Sequence, residues 1–189
     1  MFIRNLSHSF SVWNRSRKLE FVLSFIRLYK LKSCLLVGAT PDATGNGYEN
    51  LIERGIKSEL VNVVASGLEE ESAGWSSWIP ADGRDLPFDT MSFDLVFSNA
   101  VIEHVGDEQD QIRFVLEHDR VGVSWILTTP NRLFPIESHT QILFLHMRKS
   151  WKHPSVSRLL SKRDLIKILP PGSIIKGNIF SPTFICYKV

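Results

Sequence analysis

The stretch ADGRDLPFDTMSFDLVFSNAVIEHV, Ala81 to Val105, decides how the rest of the chain is read. Its centre, FDLVFS (Phe93–Ser98), is a short apolar run of the kind that forms a strand buried in a sheet. Asp82 and Gly83 ahead of it are turn residues. Asn99 behind it is a residue that opens helices, since its side chain accepts from free backbone N–H groups. The segment therefore predicts a loop, a buried strand and a helical turn, with polar side chains collected at the strand's carboxyl end.

Working outward, the same punctuation recurs. Ser33–Val37, Leu60–Ala65, Trp78–Ala81 and Val123–Thr128 are further apolar or β-branched runs and read as strands. Leu19–Tyr29, Tyr48–Lys57 and Glu108–Glu117 read as helices. Ser161-Lys162-Arg163-Asp164 has the capping-box pattern before Leu165–Leu169, which predicts a helix start. Ser173–Phe180 and Thr183–Val189 are β-rich runs joined by a Ser-Pro turn, so an antiparallel hairpin closes the chain. Strands alternating with helices predict an α/β fold with a seven-stranded, mostly parallel sheet, doubly wound by helices on both faces. In such sheets ligands bind beyond the carboxyl ends of the strands, where the strand order reverses.

A chain of 189 residues suits one compact domain, 1–189, with a sizeable core. The formal net charge of +2 gives no steer toward nucleic acid. The charge is uneven, however. Residues 1–32 carry Arg4, Arg15, Arg17, Lys18, Arg27, Lys30 and Lys32 against Glu20 alone. A basic helical segment of this kind either caps the domain with a solvated face or makes a peripheral membrane or protein contact. Cys34 and Cys186 sit in apolar runs as small buried hydrophobes, and no disulfide framework or zinc spacing is present. No long apolar span or secretory leader is evident in the sequence, so a cytoplasmic location is expected. Residues 133–160 do not fit the strand–helix alternation. An insertion after the fifth strand lies on the ligand side of the sheet, which predicts a lid or substrate wall. His146 and His153 within it lack the partners of a metal site, and no metal is expected.

The opening segment resembles the class I S-adenosylmethionine-dependent methyltransferases of the small-molecule type. That family places an acidic residue after the third strand, then D-x-L-P-F, then an F-D-L-V strand and a short helix with an E-H pair. A second segment, TTPNRLFPIESHT (Thr128–Thr140), is similar to the post-strand motif of one subgroup of the same family. The resemblance implies a Rossmann-like fold, S-adenosylmethionine as cofactor and methyl transfer to a small-molecule or sugar-like acceptor by in-line displacement. Asp82 would accept a hydrogen bond from the adenine amino group, with Gly83 allowing close backbone approach and Arg84 beside it. Asn99 and Ala100 would line the methionine end of the cofactor. His104 is a candidate proton acceptor for the nucleophile. Glu69 and Glu70, after the second strand, are candidates for the ribose hydroxyls. Asn131 and His139 are candidate substrate contacts.

The first loop departs from the family pattern. Its usual form is D-x-G-x-G-x-G. Here Leu36 takes the acid position and Thr40 that of the second glycine. Gly38-Ala39-Thr40-Pro41-Asp42 is instead close to the G-G-T-P-D loop of the subgroup, and Gly38, Ala39 and Thr40 are expected to bind the cofactor, with Asp42 or a backbone carbonyl as the candidate substitute for the missing acid. Two further readings stay open. One is a catalytically silent methyltransferase-like domain that serves as a binding or scaffold module. The other is an NAD(P)-binding dehydrogenase-like protein, because VGATPDATGNG also resembles a G-A-T-G-x-x-G loop. The spacing to Gly45 and Gly47 does not fit the latter, and a lone glycine loop is weak evidence.

Overall fold

The computed structural model describes residues 2–40, 44, 48–70, 74–136, 142–148 and 150–189. Its strands are β1 (Ser33–Val37), β2 (Asn62–Gly67), β3 (Trp78–Pro80), β4 (Phe93–Asn99), β5 (Gly122–Pro130), β6 (Ile174–Lys176) and β7 (Thr183–Lys188). Its α-helices are α1 (Phe2–Tyr29), α2 (Tyr48–Ser58), α3 (Glu108–Val121) and α4 (Lys162–Ile168). The strands form one sheet in the order β3-β2-β1-β4-β5-β7-β6. β7 runs antiparallel to β5 and β6, and the other pairings are parallel. The α/β sheet and its terminal hairpin follow the expectation from the sequence. The strand order reverses between β1 and β4, so the ligand-side crevice falls there.

The burial of β1 shows why it reads as an unbroken apolar run. Cys34 and Leu36 join Leu95, Phe97, Val63 and Ala65 on one face of the sheet. Leu35 and Val37 join Val96 and Leu127 on the other. A strand buried on both faces has no polar side to alternate with. The first face is covered by Val22, Phe25 and Ile26 of α1 and Ile52 and Ile56 of α2. The second is covered by Phe114 and Val115 of α3 and Leu165 and Ile168 of α4.

The helix ends follow from local chemistry. Asp107 and Asp110 form a capping box at the start of α3, and Ser161 and Asp164 form one at the start of α4. Each satisfies backbone donors that the first turn leaves without a helical partner. α1 is much longer than the apolar stretch that announced it. Its Val22, Phe25 and Ile26 are committed to the core, Lys18 turns inward, and Arg27 is paired with Glu59 at 2.6 Å.

His118 at the end of α3 is fully buried, and its ring lies 4.3 Å from that of Phe114. Nδ1 donates to the Phe114 carbonyl at 2.7 Å. Burial pulls its pKa down to about 4, against the smaller upward pull of that hydrogen bond. The unfolded chain therefore binds a proton near the ordinary histidine value of about 6.5 while the folded chain does not. Stability contributed by neutral His118 is complete above that value and is lost as pH falls toward about 4. The full loss is on the order of 3 kcal/mol. Denaturant unfolding of wild type and His118→Asn, which keeps a donor near Nδ1, should show about 2 kcal/mol of this loss between about pH 7 and pH 5 in wild type alone. Identical pH dependence in the two proteins would rule out this origin.

Candidate functional site

A cleft of about 560 Å³ opens at the carboxyl ends of β1, β2, β3 and β4. It collects most of the residues singled out from the sequence. Gly38, Ala39 and Thr40 line it from the loop after β1, and Glu69 from the end of β2. Asp82, Gly83 and Arg84 line it after β3. Asn99, Ala100 and His104 line it after β4. Glu70 and Asn131 are not among its lining residues. Asp42 and His139 lie outside the described residues. A second cavity of about 480 Å³, between α1 and the β6–β7 hairpin, contains none of these side chains.

The first loop is positioned by contacts that its motif did not announce. Gly38 has φ +76°, and a Cβ there would lie 2.5 Å from Val101 Cγ1. The residue after it is drawn across to β2, with Ala39 N–H donating to Ser66 O at 2.9 Å. Trp75 Nε1 donates to Thr40 O at 3.0 Å, and Trp78 Nε1 to Glu69 O at 3.0 Å. Two indoles thus fasten the two loops beside the cleft. Gly38→Ala is expected to cost about 2 kcal/mol or more, combining the left-handed backbone with the clash. Equal stability of wild type and variant in urea would show that Val101 yields.

At the opposite end, Asp82 is held by Arg84. The guanidinium Nε donates to both carboxylate oxygens at 3.0 and 3.1 Å, and a terminal nitrogen donates to Oδ2 at 2.6 Å. Arg84 also pairs with Asp110 at 3.0 Å. The Arg84 hydrogen bonds hold the Asp82 carboxyl below its usual range, so it remains an ionised acceptor. Gly83 has a packing role as well. A Cβ on it would lie 2.5 Å from the Phe114 ring, so the glycine lets the loop settle on α3.

The end of β4 holds a buried polar cluster. Ala100 has φ 56°, a left-handed conformation that is uncommon for a residue with a side chain. Its N–H donates to Thr128 O at 2.9 Å. Strain of this kind concentrates at functional sites. Lys18 of α1, 7% exposed, donates from Nζ to Asn99 Oδ1 at 2.7 Å. Thr128 Oγ1 donates to the same oxygen at 2.9 Å. Burial pulls the Lys18 ammonium down to about 8, while the Glu103 carboxylate opposes that shift. Glu103 is fully buried and accepts from Thr129 Oγ1 at 3.0 Å.

His104 closes a single 3₁₀ turn, Ile102–His104. Its Nδ1 is hydrogen-bonded to the Ser155 carbonyl. A carbonyl only accepts, so the proton sits on Nδ1 and Nε2 is the basic nitrogen. Residues 155–158 strap this turn in place. Ser157 and Arg158 N–H groups donate to Glu103 O at 2.9 and 3.0 Å. The Arg158 side chain binds Gln111, Glu108 and Asp164. The segment 133–160 thus reaches the site through its C-terminal end.

Asn131 differs from its expected role. Its Nδ2 is within 2.9–3.3 Å of the carbonyls of Asn178, Ile179 and Ser181, and its Oδ1 accepts from Leu133 N–H at 2.9 Å. The side chain is buried and consumed in fastening the turn before β7. Pro130 does turn the chain, but toward that turn. In the sequence Lys18 is only one charge of a basic segment, and Glu49, which lines the cleft, is one polar residue of a helix. Neither stands in a motif. Among the described residues no group of three or more metal-ligating side chains is assembled, and no helix is long and apolar enough to cross a membrane.

A seven-stranded sheet of this order, with β7 reversed and a cleft at the β1–β4 switch, defines the class I methyltransferase fold. Solved structures share it. The PH0226 protein of Pyrococcus horikoshii aligns over 92% of this chain and 89% of its own, with TM-score 0.61 and 15% identity. Magnesium protoporphyrin IX methyltransferase of Synechocystis, solved with S-adenosylhomocysteine, aligns over 92% and 82%, with TM-score 0.57 and 12% identity. The methyltransferase domain of a bacterial Hen1 aligns over 92% and 98%, with TM-score 0.58 and 14% identity. No curated protein matches the chain in sequence. Residues 40–123, from the first loop to the start of β5, match the family described as a methyltransferase domain. The chain thus has the class I methyltransferase fold, and its residues 40–123 carry the sequence pattern of a methyltransferase domain.

Proposed function

We propose that the protein transfers the methyl group of S-adenosylmethionine to a small-molecule or sugar-like acceptor by in-line displacement. The observation that carries this reading is one continuous cleft, acidic along one side and small at its β1 and β4 ends. Glu69 takes the ribose hydroxyls in this reading and Asp82 the adenine amino group, which their positions in the cleft lining support. Gly38, Ala39 and Ala100 leave space beside the methionine end. When bound, the donor supplies a methyl group on a sulfonium that is already a good leaving group, so much of catalysis is positioning. The chain's own contribution is to align donor and acceptor and to receive the acceptor's proton. His104 Nε2 is suited to that, because Ser155 fixes the tautomer.

The test is calorimetric titration with S-adenosylhomocysteine, followed by turnover assays on hydroxyl, amine and thiol acceptors. Saturable binding and product formation are expected. No binding at millimolar ligand by folded protein would overturn the proposal. Binding without turnover across the panel would favour a binding module instead.

A further inference from the structure

The cleft's β1 end lacks the strand carboxylate that its loop pattern calls for. Leu36 stands in that position, 5% exposed and turned into the core with Phe97 and Ile52. No acid from β1 reaches a ligand. The cluster beside it is charged nonetheless. An ammonium has no acceptor, so the contact between Lys18 Nζ and Asn99 at 2.7 Å settles which end of the amide faces α1. It is the oxygen. Thr128 Oγ1 donates to the same oxygen, so both of its lone pairs are used. The part of the Asn99 amide left for the cleft is the N–H₂ group, which only donates. A ligand atom meeting it must accept, and a carboxylate with a cation behind the amide is the favoured partner. Glu49 lies in the first turn of α2, lines the same cleft, and is near enough to raise the proton affinity of Lys18.

We infer that Asn99, held by Lys18, binds the carboxylate of the donor's amino-acid end while Glu49 binds its ammonium, replacing the missing strand acid. The inference rests on the methyl-donor reading of the cleft. Lys18 is a positioning residue in this arrangement, acting through the amide, and Asn99 and Glu49 are the contacts. The arrangement is complementary to a zwitterion, with a donor group on one side and an acceptor group on the other.

The experiment compares two ligands by calorimetry. S-adenosylhomocysteine carries the amino-acid end, and 5′-methylthioadenosine has the nucleoside thioether without it. Wild type should bind the first more tightly. Lys18→Met and Glu49→Gln should each weaken S-adenosylhomocysteine by about tenfold or more and leave methylthioadenosine unchanged. Lys18→Arg, which still donates, should recover part of the loss. Glu49 is not in the buried core, so Glu49→Gln carries the test if Lys18→Met does not fold. Wild-type affinity for S-adenosylhomocysteine in Glu49→Gln and Lys18→Met would overturn the clamp. Equal wild-type affinity for the two ligands would overturn it too. Failure of wild type to bind either ligand would instead remove the methyl-donor reading itself.

Discussion

Replacing His104 by asparagine is expected to lower kcat by about 10²- to 10⁴-fold, the usual contribution of a positioned general base. The variant is chosen for its geometry. An asparagine amide places an N–H₂ group near the position of Nδ1, so the hydrogen bond to the Ser155 carbonyl can persist. The strap made by Ser157 and Arg158 on the Glu103 carbonyl involves only backbone donors and is not touched. Affinity for S-adenosylhomocysteine should then change little, and the loss should fall on kcat. Turnover at the wild-type rate would show that His104 only packs against residue 155. Donor and acceptor alignment would then account for catalysis.

Phe114→Ala is expected to cost about 3–5 kcal/mol, the range for removing a buried aromatic from a core. The ring is 1% exposed and belongs to the cluster between the sheet and α3. Three features rest on it. Gly83 closes onto its edge, His118 lies against its face, and the cleft uses it as floor. The variant should therefore also bind S-adenosylhomocysteine more weakly, because the loop bearing Asp82 and Arg84 loses its support. Phe114→Leu keeps most of the volume and should cost much less. Urea unfolding with unchanged m-value measures both. A loss below about 1 kcal/mol for Phe114→Ala would mean that the site collapses without strain.

Much of the fold is legible in local pattern. β1 matches the predicted run Ser33–Val37 because burial on both faces leaves no polar position to blur its edges. α4 starts at Ser161 as its capping box predicts, since that signal acts within one turn. The site is legible where a residue's place follows from the strand that precedes it. Asp82, Asn99 and His104 each follow a strand that the sequence marks, and all three line the cleft. Asn131 satisfies the same rule yet serves the turn at 178–181, which lies too far along the chain for any motif to couple them. The Asp82–Arg84–Asp110 chain is a similar case. Two of its members are neighbours in sequence, and the third arrives on α3.

The sequence by itself determined the order of strands and helices, the α/β class, and the loops in which binding residues lie. These are short-range matters of periodicity, capping and turn chemistry. Only the tertiary structure decided what completes the site. Lys18 reads as one more charge in a basic segment until α1 packs on the sheet and carries its ammonium to Asn99, 81 positions away. Trp75 and Trp78 stand in no motif, and only the fold brings their indoles to the carbonyls of Thr40 and Glu69. Each is a single polar contact between distant segments. A lone contact leaves no period in the chain, whereas its energy depends wholly on burial and on the partner's orientation.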